Sequence, residues 1–314
     1  SVLAGTQTAL HAQAQAWPSR PIRVVVPFPA GGPLDVLARA IGQQLTNSLS
    51  QPIVVENRPG ANTIIGADNV AKSAPDGYSL FFTADTPISI NPLLYSKLPY
   101  KAEDFTPVAL VVQVVEYLMV SADVPVNSLQ EFVTYSKANP GKLNYGSFGL
   151  GSNGHLEAEA FKQATGANLT HVPFKGQAEV IPAILSGQVH AVFTSPQTAL
   201  PYIRSGKIKA LAVESKERSA LFPNVPTFAE SGVPGFEAKV WFGFLAPAKT
   251  PTEIVQRLST EIGRIVATPE FSDKYITSVA FEPAPSGVEA FNAALAADKV
   301  KYANFVKAAN VKLD

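Results

Sequence analysis

Between Arg23 and Arg39 the chain reads as a buried strand, a glycine turn and the head of a helix. Val24, Val25 and Val26 form an unbroken apolar run, as in a strand covered on both faces, and Pro27 and Pro29 stop further ladder bonds. Gly31 and Gly32 let the backbone turn, and Pro33 suits the first helical position. Val36, Leu37, Ala40, Ile41, Leu45 and Leu49 then repeat with helical spacing. A helix N-terminus beside glycines is an anion site, because free main-chain N–H groups and the positive end of the helix dipole meet there. The loop Phe28, Pro29, Ala30, Gly31, Gly32 has no Lys, Arg or His. Backbone dipoles alone suit a small carboxylate better than a phosphate cluster.

The pattern then continues. Strands are expected over Ile53–Asn57 and Tyr78–Thr83, with a short helix over Ile64–Lys72 between them. Alternating strands and helices imply a parallel sheet with ligands beyond the C-terminal strand ends, which puts Pro27, Asn57 and Thr83 on one edge. Apolar runs over Val108–Val115 and Tyr117–Ser121 are able to cross between domains, and Asn127 or Ser128 caps a helix that stops before Asn139-Pro-Gly141. After Leu143-Asn-Tyr145 comes a second glycine loop, Gly146 to Gly154, and a second helix. Strands over Leu169–Pro173, His190–Thr194 and Ile208–Val213 alternate with helices over Ala178–Ser186 and Ala199–Ser205, so this unit too is expected to be parallel. A strand over Lys239–Ala246 and helices over Thr252–Ala267 and Val288–Ala309 are left to close one of the two units. With 314 residues and a prior of about 150 per domain, two domains are expected. The division is residues 17–106 plus 226–314 against 107–225. If the second unit is inserted into the first, the two glycine loops face each other across a clamp.

Composition excludes several functions. The chain has no Cys, so thiol catalysis, thiolate metal sites and disulfides are ruled out. Lys plus Arg and Asp plus Glu balance at 25 each without a basic run, which argues against nucleic acid. No window is apolar enough to span a membrane. Residues 1–16 are small, uncharged and end in Ala14-Gln15-Ala16 before Trp17-Pro18, which reads as the end of a secretory signal or a disordered tail.

Gly149-Leu-Gly-Ser-Asn-Gly154 matches a dinucleotide fingerprint, but Leu169-Thr-His-Val-Pro-Phe174 lacks the acid that would hold the ribose. Ser152 and His155 fall in one helical turn without a nucleophile elbow, and Ser152 is better read as a helix N-cap. His155, His171 and His190 lack metal-ligand spacing, so a structural role is expected. Asp35 and Arg39, at i and i+4, suit a surface ion pair, although the Asp35 charge would repel a nearby anion. No catalytic residue, metal or cofactor is expected. A micromolar ligand needs about 8 kcal/mol, and two partly buried helix ends give at most ~2 kcal/mol each. Charge-assisted hydrogen bonds of ~1.5–3 kcal/mol must therefore come from both loops and from Thr83, Ser147, Ser152, Asn153 and Thr194.

Several strings resemble the extracytoplasmic solute receptors of tripartite tricarboxylate transporters, the Bug family, over nearly the whole length after Trp17. They include Trp17-Pro-Ser-Arg-Pro-Ile-Arg23, Pro27-Phe-Pro-Ala-Gly-Gly32 with Asp35 and Ala38-Arg39, Glu56-Asn-Arg-Pro-Gly-Ala61 and Ala74-Pro-Asp-Gly-Tyr78. Further on are Asn91-Pro-Leu-Leu-Tyr95, Tyr145-Gly-Ser147, His155-Leu156, His171-Val-Pro-Phe-Lys-Gly176 and Trp241-Phe-Gly243. The resemblance implies a type II-like periplasmic binding protein of α/β class. Each lobe would be a mostly parallel sheet flanked by helices, with the ligand cleft between them. It implies an organic acid bridged to both loops partly through water, which relieves the Asp35 tension, and two membrane subunits that carry out transport. Ligand contacts are expected from Phe28, Pro29, Ala30, Gly31, Gly32, Asp35, Thr83, Asp85, Ser147, Gly149, Ser152, Asn153, His155, Thr194 and Ser195. Pro33-Leu34 departs from the small polar residues common there and alters the far end of the pocket. A sensor of the same fold, working with a signalling partner, shares every one of these features; an α/β enzyme would add a placed acid, base or metal.

Overall fold

The computed structural model describes residues 16–237 and 239–313; the leader expected over residues 1–16 lies, Ala16 apart, outside them. In chain order come β1 (Ile22–Val26), α1 (Pro33–Leu49), β2 (Ile53–Asn57), α2 (Ile64–Ala71), β3 (Ser79–Ala84), α3 (Asn91–Leu94) and β4 (Phe105–Val115). Next are β5 (Tyr117–Ser121), α4 (Leu129–Ala138), β6 (Asn144–Ser147), α5 (Asn153–Thr165), β7 (Thr170–Pro173), α6 (Gln177–Leu185), β8 (Ala191–Thr194), α7 (Leu200–Arg204) and β9 (Ile208–Val213). The chain closes with β10 (Lys239–Pro247), α8 (Thr252–Ala267), α9 (Pro269–Tyr275), β11 (Phe281–Pro283) and α10 (Val288–Ala309).

Two sheets result, ordered β11-β4-β10-β3-β1-β2 and β7-β6-β8-β5-β9. β1 lies between β2 and β3, parallel to both, so the three strands end on one edge as their alternation with helices requires. The buried face of α1, including Leu37, Ile41 and Leu45, packs against this sheet, and each such side chain contributes about 1.5–3 kcal/mol. Ser128 caps α4, accepting from the Glu131 N–H at 3.1 Å.

Both sheets are mixed rather than mostly parallel, and the route of the chain explains why. β4 leaves the first lobe and β10 returns to it, so the two neighbours run in opposite directions. β5 enters the second lobe and pairs antiparallel with both β8 and β9, the last strand of that lobe. Residues 107–115, expected in the second unit, pair in the first sheet, and the crossing falls at Glu116 between β4 and β5. Phe228 and Phe236 pack in the core of the second lobe, so the chain stays there beyond the expected limit at residue 225. An apolar run reports burial, not the sheet or direction a strand takes.

α10 touches both lobes. Its Phe291 meets Trp241 in the first, with ring centroids 4.7 Å apart. Its Tyr302 and Phe305 pack in the second, Phe305 at 5.6 Å from Phe236.

Candidate ligand-binding cleft

A cleft of about 300 Å³ opens between the lobes, at the lower end of the usual range for small-molecule sites. The first lobe contributes the loop Phe28 to Leu34, the segment Ala84-Asp85-Thr86 after β3, and Val114, Val240 and Phe242. The second contributes Phe148, Ser152, Asn153, Lys175 to Ala178, Thr194, Ser195 and Thr198. Glu116, at the crossing between them, lines the floor.

The first loop is held by Asp35. Its carboxylate accepts from the Gly31 N–H at 2.9 Å, Arg39 Nε at 3.0 Å and Asn57 Nδ2 at 3.0 Å. Burial pushes this carboxyl up, but the Arg39, Gly31 and Asn57 hydrogen bonds outweigh it and hold Asp35 below its ordinary range. Asp35 does not line the cleft. It is spent on the loop's own shape, its charge met by Gly31, Arg39 and Asn57. Gly32 is the N-cap of α1, no side chain caps the helix, and Pro33 follows. The first turn is thus left to the cleft.

The second loop is organised from behind as well. Ser147 Oγ shares a 2.6 Å hydrogen bond with His171 Nε2 and accepts from the Gly149 N–H at 3.2 Å. His155 Nδ1 accepts from the Gly151 N–H at 3.0 Å. Ser152 is the N-cap of α5, but its hydroxyl donates to Gly149 O at 2.8 Å and makes no cap bond, so this N-terminus too is free of side-chain capping. Of the expected contacts, Asp35, Thr83, Ser147, Gly149 and His155 stand outside the cleft lining, while the other ten are in it. Ser147 and His155 are occupied in holding the loop; Thr83, fully buried, points its Oγ1 to no partner among the described residues.

Sequence reasoning missed a third helix end. α6 begins at the cleft with Gly176 as an N-cap that offers no side chain. Gln177 Nε2 donates to Thr194 Oγ1 at 3.1 Å and Ser195 O at 3.2 Å, tying α6 to the end of β8. Gly176 just ahead of an apolar helical run was the available signal. On the floor, Asp85 was among the expected contacts and Glu116 was missed. Asp85 Oδ2 accepts from the Tyr302 hydroxyl, and Glu116 Oε1 receives Asn153 Nδ2 at 3.5 Å. Burial raises Asp85 to about 7 and Glu116 well above the carboxylate range. Among the described residues no group of His, Cys, Asp and Glu has the arrangement to hold a metal ion, and no helix is long and apolar enough to cross a membrane.

Two α/β lobes joined by crossing strands, with a concave site lined from both, define a ligand-binding protein of the periplasmic binding protein fold. The R. palustris protein Rpa4515, solved with adipate, superposes with a TM-score of 0.88 at 34% identity, covering 94% of this chain and 99% of that one. MatC from Rhodopseudomonas palustris, solved with bound malate, gives a TM-score of 0.85 at 31% identity over 92% of this chain and 100% of that one. Protein BugT of Bordetella pertussis is 40% identical over 256 residues, 81% of this chain and 78% of that protein. The profile of the tripartite tricarboxylate transporter family receptor, TctC, matches residues 37–311, and the chain belongs to that family. It is a family of binding proteins, not of enzymes.

Proposed function

We propose that this protein is a periplasmic receptor that grips a small organic carboxylate between its lobes and presents it to two membrane subunits of a tripartite tricarboxylate-type transporter. The carrying observation is the convergence on one cleft of three helix N-termini, those of α1, α5 and α6, none capped by a side chain. Their dipoles and N–H groups attract an anion without a buried cation. Since helix ends on opposite lobes each supply at most about 2 kcal/mol, affinity in the micromolar range needs both lobes at once. Closure is then stabilised by the ligand, because contacts to the second lobe form only when the lobes meet around it. Relatives solved with adipate and malate support a carboxylate, and the family's transport role supports membrane partners. The Ala14-Gln15-Ala16 pattern supports export, with residues 1–16 removed as a leader.

A thermal-shift panel of mono- and dicarboxylates, amino acids and aromatic acids tests the reading. At least one should raise the melting temperature, and Gly32→Val should abolish that rise while the ligand-free protein stays folded. A Cβ at Gly32 meets only Pro29 O, at 3.5 Å, so the substitution obstructs the approach to α1 rather than the core. Retained shifts in this variant would remove the loop from the site.

A further inference from the structure

The floor of the cleft is acidic, although helix N-termini attract an anion at its walls. Asp85 and Glu116, only 1% and 4% exposed, both line it. Asp85 Oδ1 and Glu116 Oε2 have no partner among the described residues, and the Asn153 contact to Glu116, at 3.5 Å, is long for an amide donor. Near them Glu157 on α5 and Glu214 after β9 are fully buried, and neither has a partner for either carboxyl oxygen. The cation acting on this group, Lys301 on α10, is already committed to Asp298 at 3.0 Å and to Lys239 O at 2.9 Å. Buried carboxyls without partners are costly to ionise, and a cation entering here offsets that cost by stabilising their charged forms. Much of the remaining lining is apolar, including Phe28, Leu34, Phe148 and Phe242.

We propose that the ligand carries, besides the carboxylate, an ammonium-type group that Asp85 and Glu116 receive, the two ends being separated by an apolar linker. The protein would thus take an amino acid in preference to a diacid. This rests on the receptor reading of the same cleft. In the ligand-free protein, burial and neighbouring carboxyls raise Asp85 to about 7 and Glu116 well above the carboxylate range, which favours their protonated forms. An arriving cation favours the charged forms, so binding releases protons. The ionisable groups around the pair are Glu157, Glu214, Asp298, Lys301 and Tyr302, with Lys175 exposed on the rim, where a diacid's second carboxylate would have to go.

Calorimetric titration with length-matched pairs tests this: γ-aminobutyrate against succinate, δ-aminovalerate against glutarate, ε-aminocaproate against adipate. For at least one length the amino acid should bind about tenfold more tightly than its diacid, a difference of ~1.4 kcal/mol, with heats that depend on the buffer because protons are released. Asp85→Asn and Glu116→Gln should shrink that ratio toward one. Because the ratio is taken within each variant, a general loss of stability does not mimic the effect. Diacids binding as well as or better than the amino acids, or an unchanged ratio in both variants, would overturn the proposal and leave the receptor reading intact. Silence from both series would overturn this proposal, and the receptor reading would fall only if the wider thermal-shift panel were silent as well.

Discussion

The imidazole rings of His155 and His171 lie 4.2 Å apart and within 8° of parallel, one on the helix that ends in the cleft, the other on the edge strand β7. The Tyr145 ring stacks on the other neighbour, 4.8 Å from His171. Burial, and then the charge each ring would impose on the other, lowers His171 from 6.5 to about 4; burial also lowers His155. The folded protein therefore keeps these rings neutral where the unfolded chain binds protons. Their contribution is full above 6.5 and is lost as pH falls toward about 4. His171→Phe should remove the His171 share of this acid lability. Urea titrations at about pH 7 and pH 5 should show wild type losing about 1–2 kcal/mol more than the variant, a figure discounted because His171 is only half buried.

Glu157 has the opposite sign. Burial raises it to about 8, so the stability lost by keeping it inside grows as pH rises from 4.5 through that value. Replacing a buried charge without a partner by an apolar side chain of similar volume is often stabilising. Glu157→Met should therefore raise stability by about 1–4 kcal/mol at alkaline pH and by much less near pH 5, measured by thermal unfolding across that range.

For Asp35, the expectation separates loop shape from folding. Removing its carboxylate leaves the Gly31 N–H and Arg39 Nε without this acceptor, at a cost of about 1–3 kcal/mol. Asp35→Ala should weaken carboxylate binding by more than the loss of stability explains, because the Phe28 to Gly32 loop loses its inner anchor. Titration calorimetry on the folded variant decides between the two effects.

At Gly154 the helix packs directly on a strand backbone. A Cβ there would sit 2.6 Å from Phe193 O. Alanine gains about 1 kcal/mol of helix propensity over glycine, but overpacking of this kind costs about 1–3 kcal/mol. Gly154→Ala should therefore destabilise the protein on chemical denaturation and shift the start of α5 relative to the cleft.

The opening unit was legible because its signals agree: three consecutive valines, two loop glycines, a proline at the helix start and Leu37, Ile41 and Leu45 at helical spacing. The second glycine loop was legible for the same reason. Strand direction was not, since nothing in Val108 to Val115 tells whether a neighbour arrives from the same lobe or returns from the other. Ser147 and His155 look like ligand donors in sequence, yet Ser147 Oγ is met by His171 from β7 and His155 Nδ1 accepts from the Gly151 N–H of its own loop. Glu116 escaped notice because a lone acid between two apolar runs belongs to no motif. Its importance comes from being the point where the chain passes from one sheet to the next.

With Phe291 seated in one half and Tyr302 and Phe305 in the other, α10 behaves as a hinge pin driven through both leaves of a door. Wide translation of the leaves would tear an aromatic cluster open at one end of the pin, whereas a swing about its axis leaves both clusters closed. Rotation around this helix is therefore the opening that keeps both clusters intact, and the acidic floor of the cleft is tied to the pin itself through Tyr302 and Asp85.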